Sequence, residues 1–128
     1  MYKDRMLNEK LFKRGNIVWV DLPDYGNHIQ CGKRKAIIIS NDWNNKYCPN
    51  IHIIPLTTKK KNFKLHIPRT SGEYILIEQI MVVSKSVVLK EEPIETVLPK
   101  EWSLIEDYLA VQMGFKDWKE INYNGKND

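Results

Sequence analysis

GKRKAIIISNDWNNKYCPNIHIIPLTT, residues 32–58, is the stretch of sequence that decides the fold. It contains two β-branched apolar runs, 34–40 and 51–57, which predict two strands, the first of them covered on both faces. Asparagine and proline residues between the runs predict a polar turn at 41–50. If the strands lie side by side, the guanidinium of Arg34 and the hydroxyl of Thr57 meet at one end of the sheet. That meeting is the candidate functional site.

Shorter patterns on either side of this stretch predict the rest of a sheet. Residues 16–21 alternate as a strand, and 22–33 are turn formers that predict a long loop, a kind of segment that is often functional. Pro55 predicts an edge or a bulge near the end of its strand. Further short strands are predicted at 63–67, at 74–79 and 80–84 as one bent strand or two, and at 86–89.

The last third of the chain predicts one helix at 99–113. Pro99 suits a first helical position and Gly114 suits a helix end. Apolar residues at helical spacing should face the sheet, with acidic residues including Glu101 on the opposite face. Several short strands followed by one helix predict a mainly β fold with a C-terminal helix, in the form of a small β-barrel.

Composition indicates one globular domain and excludes some classes of protein. The chain has 128 residues, of which 42% are hydrophobic, enough for a core without metal or disulfide support. No apolar run approaches the ~20 residues of a membrane span. The charged N-terminus lacks the apolar region of a secretory signal, so we expect a cytoplasmic location with Cys31 and Cys48 reduced. Residues 1–13 predict an extension or short helix, and 116–128 predict a polar tail.

Positive charge is concentrated beside the two central strands. The net charge is +4, and lysine and arginine cluster at 33–35 and again at 59–61. A solvated surface is the ordinary interpretation of such runs, but two clusters that flank one strand pair also permit an anionic partner such as RNA.

Arg34 and Thr57 are residue types that suit cleavage of RNA by its own 2′-hydroxyl. That reaction needs a proton acceptor, a group that stabilises negative charge on phosphorus, and a proton donor for the leaving 5′-oxygen. Arginine suits the second task because its charge is permanent and its planar fork matches phosphate oxygens. Threonine offers a hydrogen bond to the same phosphate. His28, in the preceding loop, is the candidate proton acceptor because histidine titrates near neutral pH.

Two further groups of residues remain open to interpretation. One is a set of four possible zinc ligands in two pairs, His28 with Cys31 and Cys48 with His52, for which the alternative is chance. The other is Trp43, which lies near lysines and could stack on single-stranded bases, or could instead cap the barrel as a core residue.

The order of several short motifs resembles the MazF/PemK group of toxins from type II toxin–antitoxin systems. The motifs are RGNIVWVD, then a loop ending in Gln30, GKR, AIIISND, PLTT and EQI. The resemblance as a whole covers about residues 14–115. The resemblance implies an Src-homology-3-like barrel, the fold shared by the CcdB and PemK toxins, that works as a homodimer. Residues 14–115 would then form the MazF/PemK-like barrel with its C-terminal helix.

The resemblance also implies a function. Members of this group are metal-independent endoribonucleases, called mRNA interferases, that need no cofactor and cut single-stranded mRNA at short sequences. The products are a 2′,3′-cyclic phosphate and a 5′-hydroxyl, and a small antitoxin controls the enzyme by filling the RNA groove. The catalytic arginine and threonine of the group fall on Arg34 and Thr57. We expect the RNA to be held by Gln30, Lys33, Lys35, Thr58, Lys59 and Lys60, with Trp43 as a stacking residue.

Three positions depart from the pattern of the group. Lys35 follows the motif arginine where proline is usual, Ile29 replaces an acidic residue, and Met81 replaces a basic one. These changes bear on the proton acceptor and on the recognised sequence. The rival hypothesis is a non-catalytic barrel, either a degenerate toxin that binds RNA or antitoxin or a gyrase poison like CcdB. Discrete RNA fragments with 5′-hydroxyl ends would favour the enzyme.

Overall fold

The computed structural model describes residues 11–60, 63–89 and 95–121. Within these ranges the chain forms seven strands, two α-helices and three short 3₁₀ turns. The strands are β1 Asn16–Leu22, β2 Gly32–Ile38, β3 Asn50–Thr57, β4 His66–Pro68, β5 Tyr74–Leu76, β6 Met81–Ser84 and β7 Glu95–Thr96. The helices are α1 Asp42–Tyr47 and α2 Pro99–Gln112, and the 3₁₀ turns are Ile77–Gln79, Lys85–Val87 and Trp118–Glu120.

The strands form one antiparallel sheet in the order β4-β5-β3-β2-β1-β7, with β6 on the same side of β3 as β5. Closure is helped by the segment after β6, where Val88 bridges Val20 and the Leu89 amide donates to the Trp19 carbonyl at 2.9 Å. A curled antiparallel sheet with one C-terminal helix confirms the predicted fold class.

β2 explains why the core has two parts. Successive side chains of a strand point to opposite faces. Ala36 and Ile38 pack in a cluster with β1, β3 and β6, whereas Ile37 packs on the other face with β5 and α2. The prediction that both faces of this strand are covered is therefore confirmed.

The predicted polar turn at 41–50 is wrong in part, because the chain forms α1 there. The Asn41 side chain accepts a hydrogen bond from the Asn44 amide at 2.8 Å and so caps the helix. Asn45 is fully buried and donates to the Ser40 carbonyl at 2.8 Å. Asparagines that favour a turn in isolation here supply the cap and the side-chain hydrogen bonds of a short helix.

Pro55 lies in a central strand, so the edge predicted for it is wrong. β3 pairs with β2 on one side throughout Ile53–Pro55. On its other side β6 pairs with β3 as far as Ile53, and β5 pairs with it from Leu56. Within the described residues Pro55 falls at the step between these two partners, where a missing amide proton removes no ladder hydrogen bond on that side.

The segments after β3 differ from the prediction in their bounds. The predicted strand at 63–67 is short, because β4 begins only at His66 and the described residues before it form a turn. The segment 74–84 is two strands separated by the 3₁₀ turn Ile77–Gln79. The predicted strand at 86–89 is mostly a 3₁₀ turn with a single bridge at Val88.

α2 confirms the predicted helix, but one of its residues was placed wrongly. Glu101 is buried rather than solvent-facing, and it accepts hydrogen bonds from Arg69 at 2.8 Å and from the Leu98 amide at 3.0 Å. Its partner lies 32 residues away, beyond the reach of helical periodicity.

Some residues of the described terminal segments contribute to the core. Leu11 and Phe12 are buried in the cluster below β1. Trp118, from the predicted tail, contacts Tyr108 edge-on at a ring distance of 5.4 Å. Residues 1–10 of the predicted extension and 122–128 of the predicted tail lie outside the described residues. Among the described helices, none is both long and apolar enough to cross a membrane.

Candidate active site

The end of the β2–β3 ladder brings together the two predicted catalytic residues. The two strands pair from Ile38 with Ile53 to Ala36 with Pro55. Continued by two residues, the same register sets Arg34 opposite Thr57, and opposed residues in an antiparallel pair project from the same face. At this end β3 still pairs with β5 on its other side, but its pairing with β2 has stopped. The gap between β2 and β3 begins where the ladder ends.

A cavity of about 360 Å³ lies at this gap. Its lining includes the predicted catalytic residues Arg34 and Thr57. It also includes five of the predicted RNA-binding residues, namely Gln30, Lys33, Lys35, Thr58 and Lys59. The volume and the concentration of cations are suited to a phosphate with part of its attached nucleotide.

The guanidinium of Arg34 is half-buried and is oriented by the loop that precedes it. Its Nε donates to the carbonyl of Cys31 at 2.9 Å. Among the described residues, no carboxylate forms an ion pair with Arg34. The two terminal nitrogens therefore keep their donors for an anionic ligand, in the fork geometry that matches phosphate.

The hydroxyl of Thr57 closes the turn that leads out of β3. Its Oγ1 accepts a hydrogen bond from the Lys59 amide at 3.2 Å. The two residues that follow Thr57 in this side-chain turn, Thr58 and Lys59, also line the cavity. The hydroxyl proton of Thr57 remains available to donate to a bound phosphate.

The two lysines beside Arg34 differ in their surroundings. Lys33 is exposed, and its Nζ lies 5.4 Å from the centre of the Trp19 ring. Lys35 is instead paired with Glu73 at 2.5 Å and with Glu95 at 3.8 Å. Strand alternation directs both lysines away from the face that carries Arg34. Lys35 lines the cavity, but its positive charge is already compensated by Glu73.

Glu73 is the carboxylate in the cavity lining. Burial acts to raise its pKa, but hydrogen bonds from Lys35 and Ser71, with the charges of Lys35 and Arg69, outweigh burial and hold the pKa below its ordinary value. Glu73 is therefore ionised at neutral pH. Its negative charge balances Lys35 and leaves the charge of Arg34 uncompensated.

Three of the predicted site residues do not line the cavity. His28 is exposed on the loop between β1 and β2, and Lys60 is exposed beyond Lys59. Trp43 lies on α1, which follows the opposite end of β2 from Arg34. It is 68% exposed, so the alternative that it is a core residue is wrong, and it packs on Tyr47 at 5.4 Å.

The four residues of the zinc alternative do not form a metal site. In the ranges 11–60, 63–89 and 95–121, no three histidine, cysteine, aspartate or glutamate side chains form a group that could hold a metal ion. These ranges include His28, Cys31, Cys48 and His52. The two pairs, although suitably spaced in the sequence, therefore do not form a metal-binding cluster in space.

Sequence reasoning missed contributions to the site from Trp19, Leu56, Glu73 and Gln79. The first three line the cavity. Strand alternation was a usable signal for Trp19, which is paired with Lys35 across β1 and β2. Gln79 lies in the EQI motif, but no local signal predicted its contact, in which its Oε1 accepts a hydrogen bond from the Gln30 amide at 3.3 Å across 49 residues of sequence.

Comparison with known proteins gives a family match over most of the chain. Residues 13–113 match the family described as PemK-like, MazF-like toxin of type II toxin–antitoxin system. The chain is also 29% identical over 85 residues to a protein named Endoribonuclease MazF from Staphylococcus saprophyticus. That alignment covers 59% of this chain and 71% of the relative.

Solved structures show the same fold at low sequence identity. A MazF from Deinococcus radiodurans superposes with a TM-score of 0.69 at 18% identity, over 80% of this chain and 96% of the other. A mycobacterial endoribonuclease, solved in complex with its cognate antitoxin, superposes with a TM-score of 0.61 at 20% identity, over 80% and 92% of the two chains.

Proposed function

This chain belongs to the PemK-like, MazF-like toxins of type II toxin–antitoxin systems, and from that premise we propose that it is an endoribonuclease that cuts single-stranded mRNA at short sequences. The observation that carries the proposal is the guanidinium of Arg34, which is oriented by a backbone carbonyl and uncompensated by any described carboxylate. An uncompensated arginine beside a free hydroxyl is an arrangement that binds a phosphodiester.

The proposed reaction is attack of the ribose 2′-oxygen on the adjacent phosphorus. A new P–O2′ bond forms, the P–O5′ bond breaks, and the products are a 2′,3′-cyclic phosphate and a 5′-hydroxyl. Arg34 stabilises the extra negative charge on the phosphorane through its terminal nitrogens. Thr57 donates a hydrogen bond that positions the same phosphate. Because the charge is stabilised by side chains, the reaction is proposed to be independent of metal ions.

Two proton transfers complete the proposed reaction. His28 is the proposed acceptor of the 2′-hydroxyl proton, and Arg34 is proposed to assist delivery of a proton to the leaving 5′-oxygen. Since His28 does not line the cavity, its role requires the tip of the loop between β1 and β2 to bend inward when RNA binds, while Gln30 and Cys31 keep their positions. Catalytic contacts often tighten only in the substrate complex.

The remaining cavity residues are proposed to hold the RNA chain. Lys33, Lys59 and Lys60 are exposed cations that suit the backbone phosphates, and Gln30 and Thr58 supply hydrogen bonds. Lys35 contributes less because Glu73 compensates it. Trp43 would contact only RNA that extends beyond the cavity, because about 13 Å of strand separates Arg34 from the far end of β2.

We also propose two protein partners. A MazF of Deinococcus radiodurans and a mycobacterial endoribonuclease have been solved with their antitoxins, and by analogy this toxin would be controlled by its own antitoxin. A cationic cavity favours an antitoxin segment with negative charge. The toxin itself is proposed to act as a homodimer in the cytoplasm.

Incubation of the purified protein with a long single-stranded RNA in a metal chelator tests the proposal. We expect discrete fragments whose 5′ ends accept phosphate from a kinase without prior phosphatase treatment. Arg34→Ala should abolish cleavage while the protein stays folded. Lys119→Ala, which removes an exposed cation from the 3₁₀ turn Trp118–Glu120, is the matched control and should cut normally. Intact RNA with the wild-type protein would favour the non-catalytic barrel.

A further inference from the structure

We propose that Gln79 is a positioning residue that holds the loop between β1 and β2 and, through that loop, orients Arg34. The loop comprises residues 23–31. The inference deepens the endoribonuclease proposal and rests on it, because it concerns the same cavity. Gln79 does not line that cavity, so its effect on the reaction has to pass through the loop.

Gln79 projects from an element that is firmly packed. In the 3₁₀ turn Ile77–Gln79, Ile77 is fully buried in the cluster beneath α2. Glu78 forms a 2.8 Å hydrogen bond with Nε2 of His66, whose side chain is only 2% exposed. Burial on one side and a polar contact on the other fix the backbone of the turn. The side chain of Gln79 therefore starts from a defined position.

The loop itself has little else to hold it. Asp24 Oδ1 accepts from the Gly26 amide at 2.8 Å, and Asn27 Oδ1 accepts from the Ile29 amide at 3.0 Å. Both bonds close local turns and fix nothing relative to the sheet. Among the described residues, the side chain of Gln79 connects the loop to a distant element, because it accepts a hydrogen bond from the Gln30 amide.

The held amide is close to the carbonyl that orients the catalytic arginine. Gln30 is followed directly by Cys31, whose carbonyl accepts from Nε of Arg34 at 2.9 Å. Fixing the Gln30 amide therefore fixes the neighbouring carbonyl and, with it, the plane of the guanidinium. If the loop drifts, the terminal nitrogens of Arg34 no longer face the phosphate. A misplacement of about 1 Å at a reacting centre costs on the order of a hundredfold in rate.

Two substitutions separate the hydrogen bond from the shape of the side chain. Gln79→Met keeps the length of the side chain but removes the acceptor oxygen, whereas Gln79→Glu keeps an acceptor in the same position. We expect Gln79→Met to lower kcat by about ten- to a hundredfold with KM changed less than about threefold, since Arg34 is misdirected rather than lost. Gln79→Glu should retain kcat, with a higher KM from its negative charge.

Hydrogen exchange tests the contact between Gln79 and the Gln30 amide in the absence of RNA. In the Gln79→Met protein, amides of the peptide 24–31 should exchange faster than in the wild type, and in Gln79→Glu they should exchange at the wild-type rate. Thermal melting of all three proteins gives the folded fraction that corrects the kinetics. Any general loss of structure would appear as faster exchange in β2 and β3 as well, and would overturn the specific role.

Other outcomes decide the proposal as sharply. Unchanged kcat and unchanged loop exchange in Gln79→Met would overturn it, as would equal loss of kcat in both variants. Faster loop exchange in Gln79→Met with unchanged kcat would show that the loop is held but that Arg34 does not depend on it, which also overturns the proposal. If the wild-type protein cuts no RNA, the endoribonuclease proposal fails, while exchange still tests the hold on the loop.

Discussion

Arg34, on β2, and Arg69, in the turn after β4, have opposite surroundings. The side chain of Arg69 is 5% exposed and donates to three carboxylates, those of Glu73 at 3.1 Å, Glu95 at 2.9 Å and Glu101 at 2.8 Å. Arg34 is half-buried beside an open cavity, and it donates to a single backbone carbonyl. The same side chain is thus saturated in one place and unsaturated in the other.

The difference in surroundings distinguishes an arginine that stabilises the fold, Arg69, from one that is available to bind a ligand, Arg34. Burial acts to lower the pKa of Arg69, but hydrogen bonds and charge from Glu101 and Glu95 raise it above its ordinary value. Because each of its three side-chain nitrogens already donates to a carboxylate, Arg69 has little left for a ligand and instead joins the β4–β5 turn to β7 and α2. Arg34 contributes little to the fold and retains its donors. The two regions meet at Glu73, which pairs with both Arg69 and Lys35.

The strongest test of this comparison is the same substitution at both arginines. Arg34→Lys keeps the positive charge but loses the planar fork, so we expect RNA cleavage to fall by about a hundred- to a thousandfold. The free energy of unfolding should change by less than about 0.5 kcal/mol, because none of the carboxylates that the structure describes pairs with this side chain. Cleavage rates and urea unfolding measure the two quantities, and a large loss of stability would contradict the comparison.

Arg69→Lys should give the reverse pattern. An ammonium cannot reach three carboxylates in fixed directions, so at least one buried acid loses its partner, which costs about 2–4 kcal/mol of unfolding free energy. Cleavage per folded molecule should stay within about threefold of the wild type. Urea unfolding, with activity measured well below the transition, is the appropriate experiment. A specific loss of cleavage in fully folded protein would show that Arg69 belongs to the site.

The acidic partners of Arg69 predict the direction of the pH dependence. Burial acts to raise the pKa of Glu101, but hydrogen bonds from Arg69 and from the Leu98 amide lower it below the ordinary value of 4.5. The same sign holds for Glu73. A lowered pKa stabilises the folded state fully above pH 4.5, and the stabilisation is lost as the pH falls through the folded-state pKa.

Glu101→Gln should therefore flatten the acid side of the stability curve. At neutral pH we expect it to cost about 1–3 kcal/mol, because a charged hydrogen bond to Arg69 becomes a neutral one. As the pH falls below 4.5 and through the folded-state pKa of Glu101, the stability of the variant should approach that of the wild type. Urea unfolding between pH 3 and pH 7 gives the comparison, and Glu106→Gln, on the exposed side of α2, is the matched control. Equal acid sensitivity in Glu101→Gln and the wild type would contradict the assignment.

Sequence reasoning found the strand pair and the position of Arg34 because both depend on local order. An apolar run marks β2, and strand direction then sets which ends meet. It missed α1, since asparagine favours turns and helix caps alike, and it placed Glu101 in solvent because periodicity assigns acids to the outer face. Arg69 depends on Glu95 and Glu101, and Gln79 on the Gln30 amide, and these partners lie 26 to 49 residues away in the sequence. Such contacts form only when the sheet is complete, so no local sequence pattern predicts them.

The smallest expected effect distinguishes two lysines on one strand. Lys33 is exposed and has no carboxylate partner among the described residues, whereas Lys35 is held by Glu73. Lys33→Ala should raise KM for RNA by about three- to tenfold and reduce the salt dependence of binding by about one ion, because one phosphate contact is lost. Lys35→Ala should change the salt dependence less and should instead destabilise the fold, since it leaves Glu73 with Arg69 and Ser71 alone.

RNA titrations at several salt concentrations, with urea unfolding of the same proteins, separate the effects of the two lysines. If both lysines shift the salt dependence equally, then compensation by a carboxylate does not decide which cations of this sheet bind RNA, and the contrast between Arg34 and Arg69 loses its physical basis.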